Sequence, residues 1–217
     1  MANKMRSVVK LNLGCGAQTP AGWINVDFSL GAKLVKLPLF SYLNRRLKLF
    51  RTDWNEGILL HDLRRRFPWT NDSVDIIYSS HTLEHFSRAE GIHFLSECYR
   101  VLKTGGILRL VVPDLRVLVD QYIQGAIPAD EFVEKLEVGY ESASDRYLQK
   151  VLAPYTRFPH KCMYDSATLL AKVKQLGFAA ESKMLFESSI LDIRSVEQED
   201  RTNRAVIVEG VKTNIMK

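Results

Sequence analysis

The stretch Val8 to Asp27, VVKLNLGCGAQTPAGWINVD, decides how this chain is read. Its apolar run, with Val8, Val9, Leu11 and Leu13, predicts a strand buried in a sheet, and Gly14-Cys15-Gly16 predicts a sharp turn at its end. Glycine serves there because it accepts positive φ and lets a ligand lie against bare backbone. Trp23 to Asp27 predicts a neighbouring parallel strand, whose last residue sets a carboxylate at the same sheet edge as the glycines. An acid so placed can accept both hydroxyls of a ribose.

The spacing departs from the dinucleotide fingerprint, which wants a third glycine and an acid about 20 residues downstream. Position 19 is Thr, and Asp27 follows Gly16 by eleven positions. A full helix has little room in that connection, so few helical amides remain to hold a pyrophosphate. A nucleoside ligand without phosphate fits the spacing better.

At 217 residues and 46% hydrophobic content, with no Pro/Gly/Ser-rich linker, the chain is expected to form a single domain over 1–217. Helical insertions are expected at about 28–57 and 125–158. No apolar run approaches the roughly 20 residues of a membrane span, and the opening MANKMRSVVKLNLG lacks a signal-peptide core, so a cytoplasmic location is expected. The three cysteines, Cys15, Cys98 and Cys162, form no CxxC pair, which argues against a zinc cluster or a disulfide framework. A net charge of +5 permits an anionic partner, whether nucleic acid, a phosphorylated lipid carrier or a peripheral membrane contact. Such a balance more often reflects only a solvated basic surface.

Leu39, Tyr42, Leu43, Leu47 and Phe50 approximate a helical stripe, as a basic-faced helix or a substrate lid. Ile58 to Leu63 predicts a third strand ending near Asp62, which could accept from an adenine amine while Leu63 faces the base. Arg64-Arg65-Arg66 follows, as an exposed run or an anion contact. Val74 to Tyr78 predicts the fourth strand, and SSHTLEHF at 79–86 then sets Ser80, His81, Glu84 and His85 at the same edge. His81 is a candidate general base, with an ordinary pKa near 6.5, and a structural histidine fits the position as well. The glutamate is misplaced for an HExxH zinc helix, so no metal is expected. A helix is predicted over Ala89 to Leu102, stopped by Gly105-Gly106, and a fifth strand over Ile107 to Val112. Leu115 to Ile123 and Ala167 to Gln175 read as helices, the latter capped by Asp165 or Ser166. Phe178 to Glu187 and Arg204 to Glu209 read as a closing antiparallel pair. His160 and Tyr164, in FPHKCMYD, are either substrate contacts or neighbours of a helix entry.

LNLGCG at 11–16, NVD at 25–27, HDL at 61–63, FPWTNDSVDIIYSSHTLEHF at 67–86 and ECYRVLKTGGILRLVVPDL at 97–115 together resemble the motifs of class I S-adenosylmethionine-dependent methyltransferases. With HKCMYD and the terminal VIVEG, the chain looks like a small bacterial methyltransferase branch, type 11/12-like, some members of which accompany cell-surface glycan synthesis. Thr104 stands where the superfamily commonly has proline. The resemblance implies an α/β, Rossmann-like, doubly wound and mostly parallel seven-stranded sheet with an antiparallel last strand.

The same resemblance implies S-adenosyl-L-methionine as cofactor and S-adenosyl-L-homocysteine as product. Gly14 and Gly16 would lie against the methionine moiety, Asp27 on the ribose, and Asp62 and Leu63 at the adenine. Asn12, Cys15, Ser80 and His81 would complete the cofactor wall. His81 and His160 would be the catalytic candidates, and His85, Arg116, His160 and Tyr164 would face the acceptor. That acceptor would offer an oxygen or nitrogen on a small molecule, sugar or lipid-linked glycan, with the protein a monomer or homodimer. RNA or protein methylation, with nucleic acid permitted but not favoured, is one alternative, and a non-catalytic cofactor-binding scaffold another.

Overall fold

The computed structural model describes residues 8–40, 42, 46, 54–139 and 158–214. Strands β1 (Lys10–Leu13), β2 (Ile24–Asp27), β3 (Leu59–Leu60), β4 (Val74–Ser80), β5 (Leu102–Pro113), β6 (Phe178–Ser182) and β7 (Ala205–Lys212) form one seven-stranded sheet, ordered β3-β2-β1-β4-β5-β7-β6. The first five strands are mutually parallel, while β7 runs antiparallel between β5 and β6. The strand order reverses direction at β1 and β4, where open α/β sheets open a crevice beyond their carboxyl ends. The mostly parallel α/β sheet with an antiparallel last strand is therefore what the chain forms.

Alternation of side chains along the central strands feeds two cores. Leu11, Leu13, Ile77, Leu110 and Val112 face one side, where Phe94, Leu95 and Cys98 of helix α2 (Arg88–Val101) and Leu169 and Val173 of helix α5 (Ser166–Gln175) complete the main core. Tyr78, Val111 and Ile207 face the other, covered by Trp23, Ile190, Ile193 and Val196. Helix α2 starts on a capping box: the Ser87 hydroxyl accepts the Glu90 amide, and the Glu90 carboxylate accepts the Ser87 amide. Helix α5 starts on Asp165, whose carboxylate accepts the Thr168 amide at 2.7 Å.

Several boundaries differ from the sequence reading. Gly105-Gly106 does not stop α2; the helix ends at Val101 and β5 begins at Leu102, because Leu102 already pairs with Val74. β3 spans only Leu59–Leu60, so Asp62 and Leu63 lie in the turn beyond it. β6 ends at Ser182, where the chain leaves to cover the second core. A short helix α1 (Leu30–Leu34), capped by Ser29, lies within the span 28–57 where a helical insertion is expected. Of the basic stripe, Leu39 and Tyr42 are exposed, and Leu43, Leu47 and Phe50 lie outside the described residues. Within the expected insertion at 125–158, α4 (Ala129–Lys135) follows α3 (Leu115–Ile123), and 140–157 lie outside the described residues.

A buried ion group locks the second core. Arg109 on β5 is fully buried, and each of its five N–H groups meets an acceptor. Nε and Nη2 grip the two oxygens of Glu197 at 2.8 and 2.9 Å, Nη1 reaches Glu209 at 3.0 Å and the Glu187 carbonyl at 2.8 Å, and Nη2 reaches the Met184 carbonyl at 3.1 Å. Removing the cation strands two buried carboxylates, so Arg109→Met should cost about 3–5 kcal/mol. Urea unfolding monitored by circular dichroism measures this, and a loss below about 1 kcal/mol would mean that the carboxylates regain water.

Candidate active site

The turn after β1 is tied to the end of β2. The amides of Gly14 and Cys15 both donate to the Val26 carbonyl, at 2.9 and 3.0 Å, and the Gly16 amide donates to Asp27 Oδ2 at 2.9 Å. Asp27 Oδ1 accepts the Ser29 amide at 2.7 Å. Gly14, at φ 71°, has no space for a side chain, since a Cβ there would lie 2.0 Å from Thr82 Oγ1. Gly16, at φ 56°, faces the opposite situation: nothing lies within 4 Å of where its Cβ would be. Its bare backbone borders open space beside the carboxylate, which a ligand can fill. Each Asp27 oxygen keeps a lone pair beyond the amide it accepts, so two further hydroxyls can be bound. Residues 17–23 contain no helix, in keeping with a ligand whose grip needs no helix N-terminus.

The supporting residues have more specific duties than the sequence assigned. Asn12 is buried, and its Nδ2 donates to the Gln18 carbonyl and to Asn25 Oδ1, both at 3.0 Å, so it braces the glycine loop. The Cys15 thiol is buried, and burial together with the Asp27 charge pushes its pKa up to about 12. It is an apolar filler and not a nucleophile. Asp62 accepts the Arg64 guanidinium at 2.8 Å through each oxygen, and this pairing holds its pKa below the usual carboxylate value. The His61 amide bonds the Asp27 carbonyl at 3.2 Å, which sets the Asp62 turn beside the end of β2. Leu63 is buried in the main core, because the turn after the short β3 points it inward.

Around the end of β4 the chain gathers polar groups. Ser80 is buried, and its hydroxyl has no hydrogen-bond partner among the described residues. His81 takes a positive φ of 50°, with its amide on the Val111 carbonyl at 2.9 Å. Its Nε2 lies 2.7 Å from the Arg201 carbonyl and its Nδ1 3.3 Å from Glu84 Oε1. Burial lowers its pKa, but Glu84 and the Arg201 carbonyl more than offset this, so the imidazole stays protonated above its ordinary value. With both nitrogens facing protein acceptors, His81 has none open for an incoming proton. His85 is partly buried, which lowers its pKa and favours the neutral ring. His160 is buried with Nδ1 2.9 Å from the Leu136 carbonyl and Nε2 3.8 Å from Glu137 Oε2. The rings of His85 and His160 stand 5.1 Å apart.

Two residues expected at the acceptor side have structural partners of their own. Tyr164 is buried in the main core, its hydroxyl packed where a Cβ on Gly91 of α2 would lie 3.3 Å away, and burial drives its pKa upward. Its backbone pairs with Asp114, which makes the residue a brace between β5 and α5. Arg116 is exposed on α3 and pairs with Asp120 at 3.2 Å. Glu84, in contrast, has more weight than its sequence suggested, being fully buried beneath His81. The Arg201 carbonyl, 120 residues from His81, carried no local signal at all.

Comparison with known proteins agrees with this geometry. Residues 11–110 match the family model described as a methyltransferase domain, a span that contains the glycine turn, Asp27, Asp62 and the β4 end. The YcgJ protein from Bacillus subtilis is 14% identical over 97% of this chain and 94% of its own length, with a TM-score of 0.51. A SAM-dependent methyltransferase from Archaeoglobus fulgidus is 16% identical over 94% of this chain and 86% of its own, with a TM-score of 0.50. At such identities the likeness is one of fold. A comparison with curated proteins finds no match. The motif-bearing residues lie inside the matched span, so over residues 11–110 the chain is similar to methyltransferase domains, and over nearly its whole length it shares the fold of these solved structures.

Proposed function

We propose that this chain is an S-adenosylmethionine-dependent methyltransferase that acts on an oxygen or nitrogen of a small molecule, a sugar or a lipid-linked glycan. The observation that carries the reading is the contrast between the two sides of the crevice. The cofactor side offers open backbone at Gly16 beside the Asp27 carboxylate. The other side, among the described residues, offers neighbouring imidazoles, half-buried His85 and buried His160, and the buried Ser80 at the end of β4. In the exposed basic run after β3, Arg64 and Arg65 lie 2.8 and 3.8 Å from the Asp62 carboxylate, so part of its charge is paired. That leaves less free positive charge for a phosphate backbone.

S-adenosylmethionine supplies an already activated methyl group, so alignment and a dry site give most of the rate. Asp27 would hold the ribose and Asp62 the adenine amine, while the Asn12-braced loop fixes the glycine turn against which the remainder rests. A proton on an acceptor hydroxyl would leave toward the open nitrogens of His85 and His160, directly or through what they bind. An amine can lose its proton to water beforehand.

Calorimetric titration with S-adenosylhomocysteine should give micromolar binding, and Asp27→Ala should weaken it more than tenfold, because two ribose hydrogen bonds go unmade. Unchanged affinity would remove the ribose assignment. Methyl transfer from labelled cofactor should then appear with nucleotide sugars or lipid-linked glycans. Transfer to RNA instead, with binding that falls steeply as salt rises, would overturn the acceptor class.

A further inference from the structure

We propose that Glu84, His85 and His160 bind a divalent transition-metal ion of the zinc class. One carboxylate oxygen and one nitrogen from each imidazole all lie within 4.8 Å of one another, the spread of a coordination sphere before an ion draws it in. No local motif announces this group. Read in line, His81, Glu84 and His85 match no zinc motif, and the completing ligand lies 75 positions beyond His85.

Folding builds the group deliberately. Glu84 and His85 share one 3-10 turn, Leu83–His85, and the Glu84 carbonyl accepts the amides of Lys161 and Cys162 at 2.8 and 3.1 Å. Those two bonds pin the strand-like segment carrying His160 against the turn. Glu84 is fully buried, with His81 Nδ1 3.3 Å from Oε1 and no hydrogen-bond partner for Oε2 among the described residues. Oε2, which His81 does not reach, is the oxygen that would meet an ion.

The histidines are set for ligation. His160 directs Nδ1 at the Leu136 carbonyl, an outer-shell bond of the kind that orients a ligating imidazole, and its Nε2 has only the exposed Glu137 carboxylate nearby, at 3.8 Å. His85 Nδ1 is buried and has no hydrogen-bond partner among the described residues. One carboxylate and two imidazoles suit zinc and its neighbours better than calcium or magnesium, which prefer oxygen alone. Three protein ligands would leave a coordination position open.

The test needs no cofactor or acceptor, so it stands apart from the acceptor reading. Protein stripped with a chelator is titrated with Co²⁺, following visible absorption, and with Zn²⁺ by calorimetry. One ion per chain should bind, with His160→Ala and His85→Ala each weakening it more than about 100-fold, beyond the loss of an outer-shell partner. His93→Ala, on the exposed face of α2, should leave binding unchanged. Circular dichroism establishes that each variant is folded. Absence of Co²⁺ absorption and of Zn²⁺ heat in folded wild-type protein would overturn the proposal, as would binding that both histidine variants retain.

Discussion

The three amides of Gly14, Cys15 and Gly16 all point at the end of β2, two at the Val26 carbonyl and one at the Asp27 carboxylate. Everything at the cofactor side depends on that convergence. It turns the chain after β1 without a helix, and it holds the acid that the ligand needs in the same set of bonds. Gly14 must remain bare because Thr82 at the end of β4 fills the space above it. The turn is thereby clamped from the second strand and from the fourth, and a cradle so fixed costs little reorganisation when a ligand arrives.

The same logic of close packing governs the end of β4. His81 sits at φ 50°, a conformation that a non-glycine residue adopts at some cost. The return is position: the ring meets Glu84 below and the Arg201 carbonyl beside it. A histidine held this way positions an acid more readily than it collects a proton. It is the folded chain, with His160 brought in by the Lys161 and Cys162 amides, that determines which imidazoles keep a free nitrogen.

The fold was legible because its signals are local. Apolar runs ending in Gly14, Asp27 and Ser80 name the strands, and the 3.6-residue stripe of Ala89 to Leu102 names α2. What escaped was set by distance. Gly105-Gly106 reads as a helix stop, yet β5 already begins at Leu102 through its pairing with Val74. Tyr164 resembles a pocket residue in sequence and is a core residue in space, since only the approach of α2 at Gly91 reveals the slot it fills. Arg109 looks like any polar residue in a strand. Its partners Glu197 and Glu209 are far along the chain, and no spacing rule joins them.

That last group has a consequence for the order in which the molecule can be made. The glycine turn, both acids and the β4 end are complete by residue 110, and they include every residue placed at the cofactor. Arg109 nevertheless reaches Glu209 across 100 positions, and β7 must slide between β5 and β6 before the guanidinium is matched. A ribosome that has released only the first half has therefore delivered the binding wall with an unmatched cation at its back. Closure of the sheet is a late, long-range event, and for such contacts the entropy of bringing distant segments together slows folding. The part of the sequence that names the domain cannot be the part that completes it.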